Sequence, residues 1–182
     1  MTKTTVMLVD DHAVVRMGFR LLLATTDDID VVADVATGEE ACRLYPELTP
    51  DVVVMDIAMP GIGGLDALAR ILARDPRAKI LVLSAHEDAI HPMRALRAGA
   101  AGYLTKRGAP EELIDAIRQV AKGGKAFIEA AIAQQLAAQH ATGALGPIDM
   151  LTPREFSVFL ALAHGRSVND IADTMSLSPS TV

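Results

Sequence analysis

Along the first 122 positions, apolar residues recur in two alternating rhythms: short, nearly unbroken runs, and longer stretches in which they return every third or fourth residue. The short runs are Val6 to Val9, Val31 to Val35, Val52 to Met55, Ile80 to Leu83 and Gly102 to Leu104. Runs of that kind suit strands covered by helices on both faces. The stretches between them have the helical period. In the first, Ala13 to Ala24, Val14, Val15, Gly18, Phe19, Leu22 and Leu23 line one side. Four more helices are predicted over Gly38 to Leu44, Leu65 to Ala73, Ile90 to Ala98 and Pro110 to Ala121. Pro110 suits a first turn, where its missing N–H is not needed, and Gly99 suits the stop of the helix before it. Strands and helices alternating in this way form repeated βαβ units, so the pattern predicts an α/β fold with a doubly wound, five-stranded parallel sheet.

The rhythm changes after Gly123-Gly124. An alanine- and glutamine-rich stretch, Ile128 to Ala141, reads as a helix, and the apolar stripe Phe127, Ile128, Ala131, Ile132, Leu136 gives it a docking face for its own first domain or for a partner. The small residues and proline of Thr142-Gly143-Ala144-Leu145-Gly146-Pro147 then read as a flexible linker. Leu151-Thr152-Pro153-Arg154-Glu155 is a helix start, with Thr152 as cap, Pro153 at the first helical position and Glu155 three residues beyond the cap. That helix ends near Gly165. A second, about Val168 to Met175, and the start of a third at Ser178-Pro179-Ser180-Thr181-Val182 follow at helix-turn-helix spacing. The chain therefore divides into a domain over 1–124, a linker helix and flexible linker over 125–147, and a small all-α segment over 148–182.

Composition narrows the setting. Hydrophobic residues make up 51% and charged ones 22% of the 182, enough for a packed core and too few charges for a disordered chain. The single cysteine, Cys42, excludes an internal disulfide and a cysteine-held zinc, and the N-terminus lacks the apolar stretch of a signal peptide or membrane span. A cytoplasmic protein with no membrane association is expected. The net charge is −6, and residues 126–182 hold only two basic residues, Arg154 and Arg166, against five acids. That segment carries no basic footprint for nucleic acid.

Candidate chemistry lies at the strand ends. Asp10-Asp11 follow the first run, Asp56 the third, Ser84 the fourth and Thr105-Lys106 the fifth. In a doubly wound sheet the crevice beyond the carboxyl ends of the strands is where ligands bind, so these residues converge. Three carboxylates facing one another need a cation, and oxygen ligands select a hard one such as Mg2+. A lysine supplies charge for a dianion, a hydroxyl supplies a donor, and a carboxylate can be the nucleophile that forms an acyl phosphate. Phosphoryl transfer to an aspartate uses every part.

Asp10-Asp11, Asp56-Ile57-Ala58-Met59-Pro60-Gly61, Ser84-Ala85 and Tyr103-Leu104-Thr105-Lys106 resemble the signature of bacterial response-regulator receiver domains, over about residues 5 to 122. The resemblance implies a flavodoxin-like receiver fold. It implies that Asp56 is the phosphoacceptor, that Asp10, Asp11, Asp56 and the Ala58 backbone carbonyl bind Mg2+, and that Lys106 contacts the phosphoryl group. Ser84 and Tyr103 would be the switch pair, the Ser84 hydroxyl turning toward the phosphate and the Tyr103 ring moving inward. Leu151-Thr152-Pro153-Arg154-Glu155, Gly165-Arg166-Ser167, Asp170-Ile171-Ala172 and Leu177-Ser178-Pro179-Ser180-Thr181-Val182 are similar to the LuxR-type helix-turn-helix, and the two together have the layout of NarL/FixJ-type transcription regulators.

By that likeness Ser178, Ser180, Thr181 and Val182 open a DNA-recognition helix whose basic remainder, with a last helix used in dimer contacts, follows Val182 in family members. The full-length protein is then expected to bind DNA, and these 182 residues alone are not. The implied function is a two-component response regulator, not an enzyme, phosphorylated by a sensor histidine kinase and controlling transcription; a homodimer stays open. Two alternatives stand beside it. One is a phosphorylation-dependent interaction module without DNA binding. The other is an aspartate-dependent phosphatase with Asp10 as nucleophile, against which His12 stands where such enzymes carry an acid.

Overall fold

A computed structural model describes residues 2–85, 90–108, 110–123, 126–130, 132–134, 151–163, 165–175 and 177–182. Ten elements alternate through the first part: β1 (Thr4–Val9), α1 (Ala13–Ala24), β2 (Ile29–Val35), α2 (Gly38–Leu48), β3 (Val52–Asp56), α3 (Gly63–Arg74), β4 (Ile80–Ser84), α4 (Ile90–Arg97), β5 (Gly102–Thr105) and α5 (Pro110–Ala121). A short strand β6 (Phe127–Ile128) follows, then α6 (Pro153–Ala163) and α7 (Val168–Met175). The strands form one sheet in the order β2-β1-β3-β4-β5-β6, every pair parallel. The expected α/β architecture is present, with one strand more than the five expected.

The extra strand replaces the start of the expected linker helix. Phe127 and Ile128 pair with Gly102 and Tyr103, and Phe127 N–H donates to the Ala101 carbonyl at 3.0 Å. Their side chains pack toward opposite faces of the sheet, Phe127 with the α5 side and Ile128 with the α4 side. A two-residue apolar step next to an edge that still had backbone groups to satisfy becomes strand, and helix resumes only at residues 130 and 132–134. The remainder of the expected linker helix and the break at 142–147 lie outside the described residues.

Two cores sandwich the sheet. One buries Leu23 of α1 and Leu113, Ala116, Ile117 and Val120 of α5 against Val6, Leu8, Val52, Val54, Leu81, Leu83 and Leu104. The other buries Ala41 and Tyr45 of α2, Leu65, Leu68 and Ile71 of α3 and Ala95 of α4 against Met7, Val9, Val53, Met55, Ile80, Val82 and Tyr103, and it extends outward to Phe156 of α6. Each fully buried aliphatic side chain contributes about 1.5–3 kcal/mol, which is what holds the strand ends at fixed separations. Among the described residues no helix is long and apolar enough to cross a membrane.

The helical segment begins as expected. Glu155 N–H donates to Thr152 Oγ1 at 3.3 Å, and the Glu155 carboxylate accepts from Thr152 N–H at 2.7 Å, which is a capping box. The same device recurs at α7, where Ser167 and Asp170 exchange bonds of 3.4 and 3.1 Å. Residues 179–181 form a turn, and Thr181 N–H reaches the Ser178 carbonyl.

Candidate functional site

β1 and β3 lie side by side at the centre of the sheet, where strand order reverses, and both end in acids. Asp10 follows β1 with its N–H on the Val35 carbonyl and its carboxylate accepting from His12 N–H at 2.8 Å, a turn that leads into α1. Arg16 from the first turn of α1 donates to the Asp10 carbonyl. Asp11 is half-buried. Asp56 closes β3 at 1% exposure, and one of its oxygens accepts from Ala58 N–H at 3.1 Å.

The loop after Asp56 is tightly constrained. Gly61 and Gly63 take φ of 78° and 71°, in the left-handed region. Gly64, in the first turn of α3, lies so close to the strand end that an added Cβ would be 2.0 Å from the Asp56 carbonyl oxygen.

From the far side of the pocket comes Lys106. Its N–H donates to the Ser84 carbonyl at 2.8 Å, and Thr105 pairs with Ser84, so the ends of β4 and β5 fix where the lysine leaves the sheet. Its ammonium lies 2.6 Å from Asp10 Oδ2 and 2.7 Å from Asp56 Oδ2. Burial pushes the Asp56 carboxyl above the usual carboxylate range, against the pull of the Lys106 ammonium. Burial alone would lower Lys106, but hydrogen bonds and charge from Asp10 and Asp56 outweigh it and raise it.

The structure thus brings Asp10, Asp11, Asp56 and Lys106 into one pocket. Ligand atoms of Asp10, Asp11, Asp56 and also His12 lie within 4.8 Å of one another, a cluster that could hold a metal. Three carboxylates against the Lys106 ammonium and the Arg16 guanidinium still leave negative charge, and the three carboxylates, two of them buried, fit a hard divalent cation. Ala58 and Asp11 line an adjoining cleft of about 540 Å³. Ser84 is fully buried beside Lys106. Tyr103 is also fully buried, so the ring expected to move inward already lies within the core that Ala95 and Ile132 share.

The other wall of that cleft belongs to the C-terminal helices: Ser157 and Ala161 of α6, Arg166, and Ile171, Thr174 and Met175 of α7. Docking is anchored at α4, where the Arg94 guanidinium stands 4.0 Å from the centre of the Phe156 ring and donates to the Leu151 and Thr152 carbonyls at 2.5 and 3.2 Å. His91 meets the same ring edge-on. Ser178, Ser180 and Thr181 are exposed, the Ser178 hydroxyl 2.9 and 2.7 Å from those of Ser180 and Thr181. Thr181 and Val182 border an apolar groove with Leu151, Phe159, Leu162 and Leu177.

Three participants were not legible as such in the sequence. His12, read from the sequence only as standing where a phosphatase would carry an acid, places Nδ1 2.8 Å from Asp11. Gly64 was one glycine among several, and its close approach to Asp56 exists only in three dimensions. Glu129, counted merely as an acid, accepts from both the N–H and the hydroxyl of Thr105 at 3.0 Å.

A parallel sheet with a carboxylate pocket at its strand-order reversal, a lysine just past the end of β5 across it and a capped helix-turn-helix segment define a receiver joined to a helical output segment. The comparisons give the family: residues 6–118 match the response regulator receiver domain, and residues 149–182 match the bacterial regulatory proteins of the luxR family. The chain is similar to response regulator GacA of Pseudomonas aeruginosa, 43% identical over 183 residues that cover 97% of this chain and 83% of the relative. Among solved structures it is similar to a LuxR-family two-component response regulator from Aurantimonas sp. SI85-9A1, with a TM-score of 0.73 and 40% identity over 77% of this chain and 99% of that one. A structure of the RcsB response regulator from Salmonella typhimurium aligns over 100% of this chain and 87% of its own at a TM-score of 0.72 and 26% identity. The chain belongs to the response regulators that combine a receiver domain with a LuxR-type helix-turn-helix DNA-binding domain.

Proposed function

We propose that Asp56 is the phosphoacceptor of this response regulator and that a sensor histidine kinase is its donor, in the cytoplasm. The observation that carries the proposal is the single ammonium of Lys106 within 2.7 Å of both Asp10 and Asp56, three groups from three separate strand ends. An Asp56 carboxylate oxygen attacks the phosphorus, the phosphorus–nitrogen bond to the donor imidazole breaks as the new phosphorus–oxygen bond forms, and the imidazole leaves and takes up a proton. Lys106 faces the dianion that results. Ser84, next to it, turns its hydroxyl toward the same group, and Tyr103 responds; this pair is the switch.

Asp10, Asp11, Asp56 and the Ala58 carbonyl would hold Mg2+, which would supply charge neutralisation as an anionic phosphoryl group approaches an anionic carboxylate. For the donor, α1 offers an exposed apolar stripe, Val14, Met17 and Leu21, on the helix that follows Asp10 and Asp11 in the chain. We take residues 1–124 as the receiver, 125–147 as linker and 148–182 as the helix-turn-helix portion. In that portion Ser178, Ser180, Thr181 and Val182 open the DNA-recognition element, so that phosphorylation governs the availability of helices that now pack on the receiver.

The test is the intact mass of wild type and Asp56→Asn after incubation with Mg2+ and acetyl phosphate. One phosphoryl group gained by wild type alone is expected. Equal gain by both proteins would sink the assignment of Asp56.

A further inference from the structure

The end of β5 that carries Lys106 is held from two sides. On one side is β4, through Ser84. On the other is the linker, and it makes three contacts with consecutive parts of the strand. β6 pairs with Gly102 and Tyr103. Glu129 N–H reaches the Tyr103 carbonyl at 3.4 Å. The Glu129 carboxylate accepts from the N–H and the hydroxyl of Thr105, each at 3.0 Å. Glu129 also begins the turn of helix beyond it, its carbonyl accepting from Ala133 N–H, and Ile132 of that turn is buried in the core that holds Tyr103.

β5 is shaped to receive this partner. A Cβ at Gly102 would lie 2.6 Å from the Phe127 carbonyl, so the glycine is what lets β6 approach.

We propose that Glu129 is a positioning residue that clasps the linker to the unphosphorylated arrangement of Thr105 and Lys106, so that phosphorylation of the pocket loosens the linker. The inference rests on the phosphoacceptor reading. The backbone pairing and the Glu129 bonds of the clasp run along residues 101–105, the segment bounded by Lys106 and containing Tyr103. The contacts exist in a geometry in which Lys106 bridges Asp10 and Asp56. A phosphoryl group on Asp56 stands where that bridge now runs, so Lys106 exchanges the bridge for the phosphoryl oxygens, and in this proposal the end of β5 moves with it. Contacts made only in the present arrangement favour it, and the coupling is reciprocal: whatever phosphorylation does to the linker, release of the linker does to phosphorylation. Thr105 lies one peptide bond from Lys106, which makes the path short.

The experiment uses Mg2+ with beryllium fluoride as a phosphoryl mimic and follows hydrogen exchange at Phe127, Ile128, Glu129, Ile132 and Ala133. In wild type the mimic is expected to speed exchange there about fivefold or more, the lower end of common couplings. Glu129→Ala should exchange fast with and without the mimic and bind it several-fold more tightly, whereas Glu129→Gln, which keeps an acceptor oxygen, should fall between. A purely structural role would loosen the linker without changing affinity for the mimic. The inference is overturned by wild type that binds the mimic with no change at these amides, or by Glu129→Ala with wild-type affinity. Wild type that does not bind the mimic at all overturns the phosphoacceptor reading itself.

Discussion

Asp56 sits under two opposed influences, burial that disfavours its charge and an ammonium that favours it, and burial wins. A carboxyl raised in this way binds its proton more tightly folded than unfolded. Stability therefore falls as pH rises from the ordinary carboxylate range through the raised value, and the full cost is present above it. Asp56→Asn removes that cost while Asp10 still pairs with Lys106. Without Mg2+ the variant should melt above wild type at pH 7, with the gain shrinking as pH falls through the raised value and gone once pH is below about 4. Thermal unfolding across pH measures it, and a gain that grew with acidity would contradict the account. The acids and the lysine were legible because each follows an apolar run, and strand ends in this topology converge. His12 and Glu129 were not, since a histidine after an aspartate pair and a glutamate beyond a two-residue strand become partners only through where their backbones are carried.

Helices and strands followed the apolar rhythm closely, with α1 and α5 spanning the expected residues and the other boundaries differing by a few. The largest difference in a helix is at α2, which runs through Pro46 to Leu48 rather than stopping at Leu44. Proline there removes the donor that would reach the Cys42 carbonyl, and Arg74 of α3 donates to that carbonyl instead, at 3.2 Å. A rescue by a residue 32 positions away is invisible to a local pattern. The same holds for β6, whose two residues become strand only because β5 offers an open edge. The junction of β3 and α3 is the most demanding point. Gly64→Ala would press a methyl group into the Asp56 and Ile57 backbone. A loss of about 3 kcal/mol or more in urea unfolding is expected, with phosphoryl uptake impaired because Asp56 itself must shift. Near-wild-type stability would show that this approach is looser than described.

At the scale of the whole molecule, the receiver and the helical segment share a core. Phe156 of α6 belongs to the same apolar cluster as the α2, α3 and α4 face of the sheet, and Arg94 both covers its ring and caps the start of the segment. A cation over an aromatic ring is worth about 0.5–2 kcal/mol, and hydrogen bonds to a charged donor about 1.5–3. Arg94→Ala should therefore weaken the docking of α6 by about 2 kcal/mol, roughly thirtyfold in hydrogen exchange along Pro153–Ala163. Unchanged exchange would mean that the apolar contact alone holds the helix. The composition of the segment, acidic and with two arginines, left its role to the likeness with known helix-turn-helix sequences; the packing shows one of the two, Arg166, beside the receiver cleft.

The central claim is that one carboxylate of the cluster receives the phosphoryl group. It is tested most directly by treating the protein with acetyl phosphate and Mg2+, reducing the acyl phosphate with borohydride and locating the resulting homoserine by peptide mass. The account predicts homoserine at position 56 alone. Homoserine at position 10 would make Asp10 the nucleophile, as in the phosphatase alternative, and would contradict it.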